Sequence, residues 1–537
     1  MGVSQKSPGA TPKPSRRALQ AGLLLLLAFY TCFNLWYIVR TSFELDGHRV
    51  WCLWDDAMIS MRYANNLVQG HGLVWNPGED AVQGYTNLGV TLVMAALHLL
   101  PVTKESSSLA FQLLNLGSLL AIAVLSGRIA GRLFSGWAGP LATLAVLCSA
   151  PLSIWSLQGS DTGLMCLWLT ATVSYLFGVL GRPNSFWPLV VLFAAGPFLR
   201  LDAMVYVVPM WLFVVIHIRQ RTLTVSTFVA TTLVLAGILG FAMFVYGHPM
   251  PNTYYLKATG APFQMVFDRG LESLGLAVGL WPLFVPAFAA VVVFCRDMRV
   301  LLCAALVAAI MMYNLCVGGD WADEYVSRFM VPGLPMLFVL CAGGIAWGVH
   351  HVRRYLDKAS WLPAAAGSIA LIACVAVFLS VNPAPAWDEW VSVSEPAMYR
   401  DDNKRHVTYA RHLNAILSPS DVIAVHWAGV IPYFRDGPAL DVFGKNDAHI
   451  AHMKVAPSLL RARSFRPGHS KWDWDYVMDK RPAFVIGASK ELRRHRVFKA
   501  NYRIFKDKKI LRRAFVYVRD DVARRSEKME FQKRPPG

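Results

Sequence analysis

Two neighbouring stretches decide how this chain folds. The first is Ala18-Leu-Gln-Ala-Gly-Leu-Leu-Leu-Leu-Leu-Ala-Phe-Tyr-Thr-Cys-Phe-Asn-Leu-Trp-Tyr-Ile-Val39; the second is Trp51-Cys-Leu-Trp-Asp55-Asp56-Ala-Met-Ile-Ser60-Met-Arg62-Tyr-Ala-Asn-Asn-Leu-Val-Gln-Gly70-His-Gly72. The first carries no charge over a length that crosses about 30 Å of hydrocarbon. It follows Lys6, Lys13, Arg16 and Arg17 and is longer than a signal-peptide core, so it reads as a retained first span. The second places two adjacent carboxylates just past that span. Met58, Met61, Ala64 and Leu67 recur at near-helical spacing behind them, with Gly70 as terminator, which predicts a short amphipathic helix on the membrane surface. One of the two acids, Asp56 in particular, is a candidate cap for that helix; the other is then left free for chemistry.

The rest of the chain extends this pattern. Of 537 residues 55% are hydrophobic and only 16% charged, with 52 Lys and Arg against 34 Asp and Glu. A mean hydropathy of +0.39 excludes a cytosolic globular enzyme, a disordered chain and a small disulfide scaffold. The nine cysteines all precede residue 382, form no CxxC pair and read as buried apolar thiols. Further apolar runs lie at Leu109–Ser126, Phe134–Ala150, Asp161–Leu180, Phe186–Phe198, Ala203–His217, Thr224–Val245, Leu274–Phe294, Val300–Val317, Phe329–Val349 and Leu362–Ser380. With the first span they predict about eleven transmembrane helices. This topology puts every strongly basic loop, from Arg128 and Arg132 to Arg353, Arg354 and Lys358, in the cytoplasm. Leu88–Leu100 is kept out of the count, as an interfacial segment, because one more crossing would move those loops outside.

The expected organisation is a cytoplasmic tail (1–17), a membrane domain (18–381) whose first external loop (40–87) carries the catalytic acids, and an extracytoplasmic C-terminal domain (382–537). In that domain helical stretches at Asn403–Leu417 and near Trp472–Met478 alternate with short strands at Val422–Val425, Ala439–Phe443 and Phe484–Ile486, a small α/β layer. The Lys- and Arg-rich tail from Lys490 to Arg534 reads as solvated surface or as attraction to anionic lipid, not as a nucleic-acid site. His449 and His452 are three apart, the wrong spacing for paired metal ligands at i and i+4.

Asp55-Asp56-Ala-Met-Ile-Ser-Met-Arg62-Tyr-Ala-Asn65, with Gly70-His-Gly72 and Gly84-Tyr85-Thr86-Asn87, resembles the first external loop of GT-C glycosyltransferases. Leu157-Gln-Gly-Ser-Asp161, Arg200-Leu-Asp202, Pro251-Asn252-Thr-Tyr254-Tyr255-Leu-Lys257, Gly318-Gly-Asp320 with Arg328, and Asp441-Val-Phe-Gly444-Lys445-Asn-Asp447 carry the likeness along the chain. Within that superfamily it is similar to the branch that includes the mycobacterial terminal arabinofuranosyltransferase. Gln83, where relatives often have Glu, and Leu88-Gly89 after the Tyr-Thr-Asn depart from the pattern.

The resemblance implies a multi-spanning enzyme of the bacterial inner membrane. It would move arabinofuranose or another pentose or hexose from a polyprenyl-phosphate donor to a cell-envelope glycan or glycolipid on the outer face. By the family pattern Asp55 is the catalytic carboxylate and Asp56 its reserve. Lys257, Arg328 and Arg200 are the expected donor-phosphate ligands, since this topology places them outside beside membrane helices. Arg62, Tyr85, Asn87, Asn252, Tyr254 and Asp320 are expected to contact substrate. His426, Asp441, Lys445 and Asp447, near strand ends of the C-terminal domain with His469, are expected to bind acceptor. No cofactor is required. Mg2+ or Mn2+ between Asp55 and Asp56 fits the residue types, but an already activated phosphosugar does not demand it. Rival readings are a protein O-glycosyltransferase of the same superfamily and a transporter of lipid-linked sugar, which would carry its ionisable groups near the midplane.

Overall fold

The computed structural model describes residues 16–134, 137–179, 186–276, 281–320, 327–356, 384–392, 396–455, 459, 465–487, 489–505 and 516–525. Seven described helices are long and apolar enough to cross a membrane: Ala21–Thr41, Ser107–Leu133, Thr162–Val179, Leu201–Ile218, Arg221–Tyr246, Met298–Val317 and Val331–His351. An eighth crossing arises if Ala138–Leu147 and Ala150–Leu157, bent by 49°, form one broken span. The expected straight segment Phe134–Ala150 therefore breaks after Leu147. Pro151, which has no N–H to give the preceding turn, sits at the start of the second half.

The count of eleven is not reproduced. The runs expected at Phe186–Phe198 and Leu274–Phe294 contain the shorter apolar helices Trp187–Leu199 and Pro282–Val293. At 1.5 Å per residue, 13 residues reach about 20 Å, short of a full crossing. Leu362–Ser380 lies outside the described residues. The segment left out of the count, Leu88–Leu100, is a helix from Leu88 to His98 packed on the Asp55–Val68 helix.

Large apolar side chains point away from the protein along several helices. Phe244 is 90% exposed, and Leu24, Leu25, Phe29, Leu233, Val285 and Phe288 are also bare. Such a surface is stable against hydrocarbon and not against water. Polar side chains turn inward instead: Gln112 donates to Thr41 Oγ1 at 3.0 Å and to the Leu157 carbonyl at 3.0 Å, tying three segments together. The chain is thus a multi-pass membrane protein with a large domain outside the bilayer.

That domain carries a five-stranded mixed sheet. A hairpin of β1 (Phe43–Leu45) and β2 (His48–Val50) lies in the loop after the first span. The sheet itself comprises β3 (Ile423–Val425), β4 (Ala439–Asp441), β5 (Phe484–Ile486), β6 (Tyr502–Ile504) and β7 (Val516–Arg519), in the order β4-β3-β5-β7-β6. β3 runs parallel to both β4 and β5, while β7 is antiparallel to β5 and β6. β6 and β7 come from the basic tail, so part of that tail completes the sheet. Every residue of β3, β4 and β5 is buried, as expected for parallel strands covered on both faces.

One core joins the loop after the first span to this domain. Met58, Ile59, Met61, Tyr63, Trp75 and Tyr85 pack in a continuous buried cluster with Val407, Val425, Tyr433, Phe434 and Phe484. The paired aspartates therefore sit on a platform braced from both sides.

Candidate active site

The Asp55–Val68 helix begins after Trp54, which has extended backbone and no capping side-chain bond. Both aspartates lie in its first turn, where negative charge suits the helix dipole. The capping role expected for Asp56 is not found, because both of its oxygens are engaged elsewhere. Gly70, at φ +83°, follows the helix end as expected.

The two acids have separate fates. Asp55 accepts from the backbone N–H of Val430 at 2.9 Å and of Gly429 at 3.2 Å, in the C-terminal domain. The approach is so close that a Cβ on Gly429 would stand 1.7 Å from the Asp55 carbonyl oxygen. Burial pushes Asp55 up to about 7; the amides pull it down and the Asp56 charge adds to the rise. Asp56 instead lines a cavity of about 400 Å3 between the membrane helices and the C-terminal domain. Lys445 Nζ donates to its Oδ1, and Arg328 Nη2 donates to its Oδ2 at 2.9 Å. Although burial works against ionisation, the Lys445 and Arg328 charges hold Asp56 well below the usual carboxylate range.

Cations converge on this cavity. Arg328 lies 4.2 Å from the Trp54 ring and pairs with Asp320 at 2.6 Å as well as with Asp56. Lys257 stands 4.3 Å over the Phe329 ring and, among the described residues, has no hydrogen bond or ion pair. Burial drives its ammonium down to about 8, with Arg328 and Lys445 adding to the fall and Asp320 opposing it. Arg200 also lines the cavity, but its guanidinium is held by Asp202 at 2.5 Å and Asp161 at 2.5 Å, and Tyr313 donates to Asp202 at 2.6 Å. Its geometry is that of a brace between helices. His469 completes the rim; burial and the nearby Lys445 push it down to about 3, so the imidazole is neutral. Much of the remaining wall is apolar, with Leu201, Met250, Pro251, Val317 and Phe329 among its residues.

Of the expected substrate contacts, Tyr85, Asn87, Tyr254 and Asp320 line the cavity, as does Lys445. Tyr85 shares a 2.9 Å hydrogen bond with Tyr246, and Asn87 donates to Asp161 at 3.2 Å. The others do not line it. Arg62 donates to the carbonyls of Trp75, Pro432 and Gly437 and to Asn76, locking the loop to the C-terminal domain. Asn252 is buried below the cavity wall, its backbone N–H bonded to the Gln83 carbonyl at 3.0 Å. His426 faces the Ile486 carbonyl at 3.0 Å, and burial lowers it. Asp441 takes N–H groups of its own loop, and Asp447 caps the Ala448–His452 helix through the Ile450 N–H at 3.0 Å. These five therefore hold the scaffold, and none of them lines the cavity. Asp161 and Tyr313 are cavity residues outside the expected set. Their signal, a polar residue at the edge of an apolar run, is common to many structural positions.

The aspartates do not form a shared cation site, since the oxygens of one face amides and those of the other face cations. Among the described residues no three His, Cys, Asp or Glu side chains cluster as a metal site.

The whole architecture has solved counterparts. ArnT from Cupriavidus metallidurans, bound to undecaprenyl phosphate, superposes with a TM-score of 0.55 at 13% identity, over 93% of this chain and 98% of that one. The chain has a GT-C-type fold. Apo ArnT gives a TM-score of 0.53 at 13% identity with the same coverage. The archaeal oligosaccharyltransferase AglB from Archaeoglobus fulgidus, in complex with an inhibitory peptide and a dolichol-phosphate, gives 0.50 at 11% identity, over 87% of this chain and 69% of that one. Residues 397–528 match a domain of unknown function, DUF8728. No curated protein sequence matches the chain.

Proposed function

We propose that this GT-C-type protein is a glycosyltransferase that takes a sugar from a polyprenyl-phosphate donor and adds it to a cell-envelope glycan or glycolipid on the outer membrane face. The observation that carries the reading is the cavity in which Lys257, Arg328 and Lys445 surround Asp56 beside an apolar wall. A prenyl phosphate needs this combination: fixed cations for the phosphate and hydrocarbon for the chain. Two fold neighbours solved with undecaprenyl phosphate and dolichol-phosphate support the carrier class. The arabinofuranose-like sugar and the mycobacterial branch rest on the sequence resemblance, and the extracytoplasmic placement of the C-terminal domain rests on the basic loops.

In this reading Asp56 takes the proton of the acceptor hydroxyl as its oxygen attacks the anomeric carbon. The anomeric C–O bond breaks, and its electron pair leaves on the prenyl phosphate, beside Lys257 and Arg328. That Asp56 lines the cavity while Asp55 is turned to backbone amides supports Asp56 as the base in place of the expected Asp55. Asp55 fixes the neighbouring acid by anchoring the helix start to the Gly429-Val430 amides. Arg200 is a brace and not a phosphate ligand.

The test is sugar transfer in proteoliposomes supplied with prenyl-phosphate sugars extracted from the source membrane. Asp56→Asn removes the base without changing shape, and transfer should fall by roughly 10²- to 10⁴-fold. A variant as active as the wild type would refute the assignment.

A further inference from the structure

Among the described residues the C-terminal domain reaches into the cavity with one charged side chain, Lys445, and the way that side chain is held gives the domain a task. Lys445 sits in the turn after β4. The Asp441 carboxylate accepts from the Phe443 N–H at 3.0 Å and the Asn446 N–H at 2.9 Å, folding the turn back on itself. Asn446 in turn accepts from Tyr63 of the first external loop at 3.2 Å. A Cβ on Gly84 would stand 1.8 Å from that same Asn446 oxygen, so the two segments touch with no room between them. The turn is clamped to the loop that carries Asp56, and Lys445 is presented at a fixed post.

Among the described residues the cavity is lined by four cations and four carboxylates, unevenly shared. Arg200 is taken by Asp161 and Asp202, while Lys257, Arg328 and Lys445 gather around Asp56 and Asp320. His469 adds no charge while neutral. A sugar on a prenyl phosphate is a phosphodiester with one negative charge, and the Asp56 side of the cavity is where three cations can meet it.

Building on the transferase reading above, we propose that Lys445 is a donor-phosphate ligand and that in the empty site it caps Asp56. When the donor arrives, the ammonium passes from the carboxylate to a phosphate oxygen, and Asp56 is released to accept the acceptor's proton. The domain of unknown function is therefore a working part of the active site: without it the phosphate lacks a ligand and the base lacks its cap. The base is thereby kept out of play until a donor is bound.

The test uses the full chain in detergent micelles, with undecaprenyl phosphate as the binding probe and pH–rate profiles for the wild type, Lys445→Met, Lys445→Gln and Lys445→Arg. The two neutral variants should bind undecaprenyl phosphate about tenfold to a hundredfold more weakly, and Lys445→Arg should recover most of the loss. The groups that face Asp56 are Asp55 on its own helix, Arg328 and Asp320 before the Val331–His351 span, Lys257, and Lys445 with His469. Removing Lys445 alone should move the acid limb of kcat/KM, which reports the free enzyme, to higher pH. The acid limb of kcat should stay, because in the donor complex Lys445 has already left Asp56. Wild-type affinity in both neutral variants, or equal movement of both limbs, would overturn the proposal and leave the transferase reading intact. A wild-type protein that neither binds undecaprenyl phosphate nor transfers sugar would overturn both.

Discussion

Lys257→Met should stabilise the protein and disable it. The ammonium is buried against Phe329 with no carboxylate in ion-pair contact among the described residues, and its pKa falls from 10.5 to about 8. At about 1.36 kcal/mol per pH unit, keeping that charge in the folded state costs about 3 kcal/mol. A folded pKa below the unfolded one means that the penalty is fully present below about pH 8 and disappears as pH rises to 10.5. Methionine has nearly the same stem without the charge, so the variant should gain up to that amount at pH 7. The stability difference between variant and wild type should shrink between pH 8 and 10.5. The same substitution removes a cation that has no ion-pair partner among the described residues, and a charge-assisted bond to phosphate is worth about 1.5–3 kcal/mol. Binding of undecaprenyl phosphate should therefore weaken by about tenfold to a hundredfold. Thermal unfolding in detergent across pH, paired with lipid binding, reads both effects. A Lys257→Met protein that melts lower at pH 7, or binds the lipid as the wild type does, would show that this side chain is structural.

Asp55→Asn should lower transfer far less than Asp56→Asn, since its oxygens hold backbone amides and not substrate. Because burial raises Asp55 to about 7, its ionisation destabilises the fold as pH climbs from 3.8 through 7; Tm measured across pH 5 to 8 should move in the Asn variant's favour. Gly429→Ala drives a Cβ into the Asp55 carbonyl, where backbone cannot yield, and should loosen the C-terminal domain, seen as faster proteolysis of that domain and loss of transfer. A tag placed after Gly537 should react with a membrane-impermeant label on intact cells; labelling only after permeabilisation would reverse the topology and take the site with it.

Much of the membrane domain was legible because its signal is local. A run such as Arg221–Tyr246 declares itself by composition, whichever helices surround it. Where length was marginal, composition misled: Trp187–Leu199 is as apolar as any span but too short to cross alone. The break after Leu147 is invisible in composition because a proline after an apolar run marks the end of a helix as readily as the first turn of a new one, which is what Pro151 forms. In the C-terminal domain the first three strands of the sheet were found from short apolar runs. β6 and β7 were missed because Tyr502–Ile504 and Val516–Arg519 lie among lysines and arginines, and their burial depends on pairing across the sheet.

The site was legible in its residue types and not in its pairings, and the paired aspartates show why. Asp55 and Asp56 differ in sequence by one position, yet one meets an amide 375 residues away and the other an ammonium 389 residues away. No periodicity encodes such a choice. Successive residues in the first turn of a helix project about 100° apart, so one docked face and one open face must separate neighbours. Which acid receives which face is settled by the domain packed above them, through the Gly429 approach and the clamped turn that carries Lys445. In the proposed reading the C-terminal domain thus selects the reactive carboxylate as well as helping to enclose the cavity. It follows that grafting the first external loop onto another membrane scaffold, without residues 397–528, should not transfer the chemistry even if every loop residue is preserved.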